Sequence, residues 1–338
     1  MKAVTVAGKK QLKVSETNTP KPDGNKVILE VAKVGICGSD LHMWENGDRI
    51  GLIMGHEFCG KVVDPGALKD TVKVGDRITV LPLNPCGKCV NCKQGKVNTC
   101  VNGLAASPGI TAPGAYAEFY AARPDMVRSL PDSVSDAEAT MIEPTAVALR
   151  AVHLAGIKPG DKVLITGGGI IGQLCAAWAR IAGASYIALS EANPKRAEKA
   201  MEMGDVDKVF DAKDEDLVKK LQAASKGGFD QALECAAVAP AVNTAIQALK
   251  FEGKMILVGV NYSLVPITTL LTVLHEIEIK GTIGYSPKEF DQSLEMMAKK
   301  VIDTERFISA TVGLDGVQGA FEQLTSGDTS DIKIIIEP

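Results

Sequence analysis

The pattern of hydrophobic and polar positions along the chain changes near residue 145. Before that point, short runs rich in β-branched residues are broken by Gly, Pro and Asp, which predicts strands rather than helices. These runs are Val27 to Val34, Gly60 to Val63 and Arg77 to Val80. We therefore expect the first 145 residues to form a mostly β domain.

From Ala146 to about Ile279 the chain alternates between short apolar strands and longer stretches with helical spacing. The predicted strands are Val163 to Thr166, Tyr186 to Leu189, Val206 to Phe210, Phe229 to Glu234 and Met255 to Val258. The predicted helices are Ile170 to Ile181, Pro194 to Met203, Asp214 to Ser225 and Ala239 to Leu249. This alternation is typical of a doubly wound parallel sheet.

The remaining residues, 281–338, are predicted to form two helices, near Lys288 to Lys300 and Val317 to Leu324, and a final strand, Lys333 to Ile336. We expect this tail to return to the first domain. The predicted class is α/β with two domains: residues 1–145, residues 146–280, and residues 281–338 completing the first. A length of 338 residues agrees, because single cores rarely grow beyond about 250–300 residues.

Charge and polarity argue against several classes of partner. The formal net charge is −4 and no long basic run occurs, which argues against nucleic acid and anionic membranes. No apolar stretch is long enough to span a bilayer, and the first ten residues lack the apolar core of a signal peptide. We expect a cytoplasmic protein whose eight cysteines are thiols or metal ligands rather than disulfides.

A glycine-rich loop follows the first strand of the predicted parallel sheet. Residues 167–172 read Gly-Gly-Gly-Ile-Ile-Gly and fit G-x-G-x-x-G between a strand and a helix. Gly167 would allow the tight turn, Gly169 the approach of a pyrophosphate, and Gly172 close packing of the helix on the strand. With Ile170 and Ile171 at the helix N-terminus, these residues predict a dinucleotide site.

An acidic residue, Glu191, occupies the position expected in a dinucleotide site. Glu191 lies 19 residues after Gly172, at the end of the next predicted strand. Its carboxylate would accept the ribose hydroxyls and repel a 2′-phosphate, which predicts NAD rather than NADP. Val258, at the end of a later strand, is also expected to contact the cofactor. The alternative is a glycine turn in which Glu191 only caps a helix.

Four cysteines form a second pattern, C-x2-C-x2-C-x7-C, made of Cys86, Cys89, Cys92 and Cys100. Four thiolates this close in sequence can enclose one zinc ion in a closed tetrahedral site with a structural role. An iron–sulfur cluster is the competing interpretation, and a set of free thiols is the third.

A third set of candidate ligands is spread along the chain. It consists of Cys37, the pair His56-Glu57, and Glu143 before a proline. Taken singly each is weak, since a lone Cys is usually a small buried hydrophobe and a lone His is usually a core residue. The three remaining cysteines, Cys59, Cys175 and Cys235, have no ligand-like context and are interpreted as core.

These motifs, taken in order, resemble a known family. Gly-Ile-Cys-Gly-Ser-Asp-x-His from residue 35, Gly-His-Glu from residue 55, the four-cysteine loop and the glycine loop are similar to the zinc-containing medium-chain dehydrogenases. The likeness runs from Met1 to Pro338. Ile-Glu-Pro-Thr-Ala-Val-Ala at 142–148 resembles the polyol and diol branch, which includes sorbitol, 2,3-butanediol and galactitol-phosphate dehydrogenases. Liver-type alcohol dehydrogenases have a zinc-ligating Cys in that region.

The resemblance implies two zinc ions per chain. The catalytic ion would be bound by Cys37 and His56. Glu57 and Glu143 would be the third ligand and a ligand or zinc-water partner, in an order that the sequence leaves open. The four-cysteine loop would hold the structural ion.

The resemblance also implies the remaining roles. Ser39 and His42 would relay the alcohol proton to solvent, Glu191 would hold the adenosine ribose, and Arg196 could cover the adenine. Residues 1–145 would form a GroES-like β-barrel beside a Rossmann domain, and the protein would be a homo-oligomer, a tetramer or a dimer. Zinc would lower the pKa of a bound alcohol, whose hydride then passes to the nicotinamide.

The expected substrate is a small secondary alcohol, such as a diol or polyol. Only 18 residues separate Cys37 from His56, a stretch that is longer in sorbitol enzymes, and Met43 stands where these often have Tyr. A threonine dehydrogenase is less favoured because its Asp-Pro pattern is missing near 143. The sequence also leaves open a sugar phosphate or a hydroxysteroid as the substrate. A zinc-free quinone or enoyl reductase and a non-catalytic NAD-binding protein are further alternatives, and the set of Cys37, His56 and Glu57 argues against both. The pocket is expected to include the 43–52 loop and residues 282–285.

Overall fold

The chain folds into two compact units, each built from more than one segment. In this computed structural model the described residues are 1–261, 263–267 and 269–338, without the side chains of residues 104 and 105. The first unit contains Met1–Glu143, Ser286–Ser326 and Lys333–Pro338. The second contains Pro144–Tyr285 and Gly327–Ile332.

The first unit is mostly β. Its N-terminal segment contains β1 (Lys2–Gly8), β2 (Gln11–Glu16), β3 (Val27–Gly35), α1 (Gly38–Asn46), β4 (Glu57–Asp64), β5 (Arg77–Val80), α2 (Val90–Lys93), β6 (Phe119–Ala122), β7 (Val127–Ser129) and α3 (Asp136–Ala139). Helix α4 (Ile142–Ala155) begins at its end and continues into the second unit.

The second unit alternates strands and helices, as the sequence predicts. It contains β8 (Lys162–Thr166), α5 (Ile170–Ile181), β9 (Tyr186–Glu191), α6 (Pro194–Met203), β10 (Lys208–Asp211), α7 (Leu217–Ser225), β11 (Phe229–Glu234), α8 (Ala239–Ala248), β12 (Leu249–Leu257), α9 (Thr269–Leu274) and β13 (Glu278–Gly281). The chain then returns to the first unit with α10 (Pro287–Ala298), β14 (Ala310–Gly313), α11 (Val317–Thr325) and β15 (Ile334–Glu337).

A seven-stranded sheet dominates the first unit. Its order is β14-β15-β3-β4-β5-β7, and β6 also pairs with β3. Strands β14 and β15 run parallel in this sheet, whereas its other described pairs are antiparallel. Because β15 pairs with β3, the last residues of the chain lie beside Gly35, which pairs in turn with Glu57 of β4.

The core of the first unit is anchored by a few large aromatic residues. Trp44, Phe58, Tyr116 and Phe321 are all at most 2% exposed. The Trp44 and Phe321 rings meet edge to face with centroids 5.7 Å apart. Burying such a side chain contributes about 1.5–3 kcal/mol to the free energy of unfolding. These few aromatics therefore stabilise much of the packing around α1 and α11.

The second unit has a six-stranded parallel sheet in the order β10-β9-β8-β11-β12-β13. This is the 3-2-1-4-5-6 order of dinucleotide-binding folds, so the predicted doubly wound parallel sheet is confirmed. The strand order reverses between β8 and β11, and ligands of such sheets bind at the carboxyl ends of the strands there.

Several predicted boundaries differ from the structure; strand β12, for example, begins at Leu249 rather than at Met255. The helix expected from Asp214 begins only at Leu217, because an Asp214 carboxylate oxygen accepts the N–H of Asp216 at 2.9 Å and holds a turn. The loop expected at 43–52 begins inside helix α1. That helix ends at Gly47, whose φ of +74° is in the left-handed region that glycine favours.

Candidate active site and metal centres

Three candidate metal ligands meet at the edge shared by β3 and β4. Cys37 is the N-cap of α1, two residues after β3, and His56 and Glu57 stand where β4 begins. The Cys37 sulfur, a ring nitrogen of His56 and a carboxylate oxygen of Glu57 all lie within 4.8 Å of one another. Sulfur, nitrogen and oxygen donors at this spacing can hold one zinc ion and leave a coordination position open.

The surroundings of His56 carry an excess of negative charge. His56 is 4% exposed, and burial, the largest single influence, lowers its pKa. The charges of Cys37 and Asp40, with a smaller contribution from Glu143, outweigh burial and hold the pKa of His56 well above its usual value. A buried site with this preference for positive charge suits a divalent cation.

Asp40 lies behind the His56 ring and is fully buried. One of its carboxylate oxygens accepts the backbone N–H of Cys37 at 3.0 Å and the hydroxyl of Tyr116 at 2.7 Å. Its other oxygen faces Nδ1 of His56 at 3.7 Å, and neither of these two atoms has a hydrogen-bond partner within the described part of the chain. Burial raises the pKa of Asp40 although the charge of His56 opposes this.

A buried ion pair that the sequence analysis missed supports Glu57. Lys333, with no exposed surface, donates to a carboxylate oxygen of Glu57, and its ammonium also donates to the Ile36 carbonyl at 3.1 Å. Gly35 makes room, since a Cβ at this position would collide with both side chains of the pair. The available signal was a lysine within the apolar run that leads into the last strand, where a charged residue needs a buried partner.

The two predicted relay residues lie on helix α1, three positions apart and therefore neighbours on its surface. The Ser39 hydroxyl is buried without a hydrogen-bond partner among the described residues, whereas His42 is exposed. An unpartnered hydroxyl inside and a titratable ring outside suit the transfer of a proton between a bound alcohol and solvent.

Glu143 occupies the first turn of α4 and is half-buried. It is near enough for its charge to act on His56, but it does not belong to the trio of donors within 4.8 Å. The helix begins at Ile142 rather than at Pro144, so Glu143 is inside the helix and not at its N-cap.

The four predicted cysteines of the second centre are gathered into one cluster. The sulfur atoms of Cys86, Cys89, Cys92 and Cys100 lie within 4.8 Å of one another. Backbone N–H groups point at three of these sulfurs, at distances of 3.3 to 3.5 Å. The N–H groups of Lys88 and Cys89 lower the pKa of Cys86 to about 6, whereas burial and the neighbouring thiols raise that of Cys92 to about 12. One dication would let all four be thiolates.

The glycine loop has the geometry that the sequence pattern requires. Gly167 has φ +97°, and a Cβ on Gly172 would collide with the carbonyl oxygen of Gly167. A Cβ on Gly169, the N-cap of α5, would meet no described protein atom within 4 Å. The loop therefore offers open space in front of the first helical N–H groups, at Ile170 and Ile171.

Glu191 ends β9 and faces this loop. Its two carboxylate oxygens accept the N–H of Gly168 at 2.6 Å and of Asn193 at 2.7 Å. Arg196 is half-buried on the first turn of α6. Val258 is buried just after β12, where its N–H donates to the Glu234 carbonyl at 2.8 Å. All the residues predicted for the cofactor therefore belong to the second unit.

Comparison with known proteins identifies the family. The model of the zinc-binding dehydrogenase family matches residues 171–299, and that of the alcohol dehydrogenase GroES-like domain matches residues 23–132. A sorbitol dehydrogenase of Bacillus subtilis is 31% identical, over 100% of this chain and 97% of its own. The chain belongs to the zinc-binding dehydrogenase family. The predicted resemblance and the two-domain α/β class are confirmed.

Other zinc-binding dehydrogenases show how varied the relatives are. An L-threonine 3-dehydrogenase of Rhizobium johnstonii is 30% identical, over 98% of this chain and 97% of its own. The crystal structure of a 2R,3R-butanediol dehydrogenase from Bacillus subtilis superposes with a TM-score of 0.89, at 29% identity, covering 100% of this chain and 99% of that one. This zinc-binding dehydrogenase is therefore an oxidoreductase. None of the helices in its described residues is both long and apolar enough to cross a membrane.

Proposed function

We propose that this dehydrogenase interconverts a secondary alcohol and a ketone, with NAD(H) as the hydride carrier and a zinc ion held by Cys37, His56 and a glutamate. The observation that carries this proposal is the cluster of three donors, half-buried at Cys37 and buried at His56 and Glu57, in surroundings rich in negative charge. Two residues after Cys37, the Ser39 hydroxyl is buried with no hydrogen-bond partner among the described residues. Zinc, when bound, polarises the alcohol oxygen, and the nicotinamide takes the hydride. The Ser39 hydroxyl would accept the alcohol proton while it passes its own proton on towards His42, which would release it to solvent.

The two glutamates have different positions in this site. Glu57 lies within the donor cluster and is held by Lys333, whereas Glu143 acts on His56 from the first turn of α4. Either can supply the third ligand, and the other then adjusts the charge at the ion. Zinc content and kcat of Glu57→Gln and Glu143→Gln separate the two roles, because only loss of the direct ligand should abolish binding of the catalytic ion.

The cofactor is NAD in preference to NADP. Glu191 is fixed by two backbone N–H groups, and each of its oxygens keeps a lone pair for a ribose hydroxyl. A 2′-phosphate at this position would face like charge. The basic neighbour Lys195 is already paired with Asp328 at 2.9 Å, which reduces its ability to attract the phosphate. The test is the ratio of kcat/KM for the two cofactors.

The zinc ion of the four-cysteine site is structural. Cys86, Cys89, Cys92 and Cys100 supply four sulfurs to one point, which fills a tetrahedral shell and leaves no position for substrate. Zinc fits better than an iron–sulfur cluster in a family described as zinc-binding. Elemental analysis should therefore find two zinc ions per chain and no iron. Thiolate ligands also need a reducing compartment, in agreement with a cytoplasmic location.

The substrate class is a diol or polyol, on the grounds of the Glu-Pro segment at 143–144 and the relatives described above. L-Threonine and hydroxysteroids are the competing substrates. The deciding experiment is NADH formation, followed by absorbance, with diols, polyols, L-threonine and hydroxysteroids, each with and without a zinc chelator. Turnover of a diol or polyol that is lost with the chelator supports the proposal. No turnover by zinc-loaded protein on any substrate contradicts it.

The protein forms a homo-oligomer through the β13 edge of the second unit. The segments before and after β13 carry large hydrophobic residues that are at least 42% exposed: Val260, Leu264, Ile267, Leu270, Val273, Leu274 and Ile283. β13 is the last strand of its sheet. Antiparallel pairing of two copies about Ile279 would place Glu278 of each opposite Lys280 of the other, so the edge is self-complementary in charge. Sedimentation of Leu270→Asp, which should dissociate the oligomer, tests this surface.

A further inference from the structure

Tyr116 is fixed in position by the main chain and by packing. Its N–H donates to the Met54 carbonyl at 2.9 Å, and its own carbonyl accepts the N–H of Val4 at 2.8 Å. The residue has no exposed surface. Its ring lies directly over Gly55, where a Cβ would be 2.5 to 2.7 Å from two ring atoms. Because Gly55 precedes His56 and has φ +93°, the ring restricts the main chain that presents this metal ligand.

The hydroxyl of Tyr116 acts on the same ligand set from a second direction. It donates its single proton to Asp40 at 2.7 Å, a much better distance than the 3.4 Å to the Gly35 carbonyl. The same oxygen of Asp40 accepts the N–H of Cys37. The carboxylate is thereby held with its other oxygen towards Nδ1 of His56, 3.7 Å away.

We infer that Tyr116 is a positioning residue of the catalytic metal site, which orients His56 through Asp40 and through Gly55. This inference rests on the proposed zinc chemistry. Carboxylates behind metal-binding histidines fix the ring orientation, and loss of such outer partners weakens metal binding by about 10–100-fold. A carboxylate can fix the orientation of a histidine ring only if its own position is fixed. The Asp40 oxygen that faces away from His56 accepts two described hydrogen bonds, one from the Cys37 N–H and one from the Tyr116 hydroxyl.

The test is Tyr116→Phe, which keeps the ring over Gly55 and removes only the hydroxyl. Tyr120→Phe is the matched control, because Tyr120 packs its ring on Phe58 at 4.8 Å and has no part in the hydrogen bonds of Asp40. Zinc per chain is measured over a range of buffered free zinc, with the four-cysteine site as the internal reference. In Tyr116→Phe alone, we expect unchanged zinc binding at the four-cysteine site and about 10–100-fold weaker binding of the catalytic zinc at Cys37 and His56.

Kinetics supply the second measurement. At limiting zinc, Tyr116→Phe should lose kcat, saturating zinc should restore most of it, and KM for NAD should stay unchanged. A purely structural role of the hydroxyl would instead lower the melting temperature and leave the zinc affinity of the folded fraction intact.

The outcomes distinguish the proposed zinc chemistry from the role of Tyr116. If the parent protein binds no zinc besides the ion of the four-cysteine site, the proposed function fails. If the parent and Tyr120→Phe bind two zinc ions and Tyr116→Phe binds both equally well, only the role of Tyr116 is overturned. Should Tyr116→Phe not fold, Asp40→Asn tests the connection from its other end. An unchanged affinity for the catalytic zinc in Asp40→Asn would also overturn the inference.

Discussion

The buried pair of Lys333 and Glu57 leads to a quantitative prediction. Lys333→Met keeps most of the length and volume of the side chain but removes its charge. Glu57, 1% exposed, then loses its cation, and the Ile36 carbonyl loses a donor. Breaking a buried pair from one side costs about 3–5 kcal/mol, because an uncompensated charge remains.

This energy should be visible as a large change in thermal stability. For a unit of 150–250 residues, a range that includes the first unit, 1 kcal/mol changes the melting temperature by about 2–4 °C. Lys333→Met should therefore melt about 6–20 °C below the parent when both are free of zinc. The deficit should shrink with zinc bound, since the ion is a second positive charge near Glu57. Thermal unfolding followed by circular dichroism, with and without chelator, measures both values.

A surface pair in the same sheet provides the control. Lys33 pairs with Glu337 at 2.6 Å, but the Glu337 side chain is 62% exposed, and such pairs contribute about 0–1 kcal/mol. Lys33→Met should thus lie within about 4 °C of the parent. The double variant Glu57→Gln with Lys333→Met should recover part of the loss, because no unpaired charge remains. If zinc-free Lys333→Met melts no lower than Lys33→Met, the reasoning is refuted.

Three further variants test the remaining assignments. Cys89→Ser should bind one zinc fewer and lose stability more than kcat of the surviving protein, and full activity with one zinc or fewer in the parent would contradict two sites. Glu191→Ala should narrow the preference for NAD by losing ribose hydrogen bonds, and a parent kcat/KM higher with NADP would refute this role. Glu143→Ala should cut kcat by at least about tenfold with unchanged KM for NAD, and normal kcat with normal zinc content would remove Glu143 from the site.

Features that depend on neighbouring residues could be predicted from the sequence. Helices α5 and α6 have the predicted bounds, Ile170–Ile181 and Pro194–Met203, because a glycine loop and an Asn-Pro cap mark their beginnings locally. The four-cysteine cluster was equally predictable, since a span of fifteen residues suffices to bring four sulfurs together. The spacing of apolar residues predicted the alternation of strands and helices in the second unit. That alternation in turn predicted its doubly wound parallel sheet.

The tertiary structure alone decided how the predicted ligands are supported. Lys333 and Glu57 are 276 residues apart and meet only because β15 pairs with β3, and β3 with β4. Tyr116 and Asp40 are 76 residues apart; Asp40 lies on α1 and Tyr116 in the segment before β6. No local pattern predicts such partners. A lysine among apolar residues and a buried tyrosine look the same in the sequence whether or not the folded chain places a carboxylate beside them. The sequence thus determined the donor atoms and their chemistry, and sheet pairing between distant segments determined their orientation and charge.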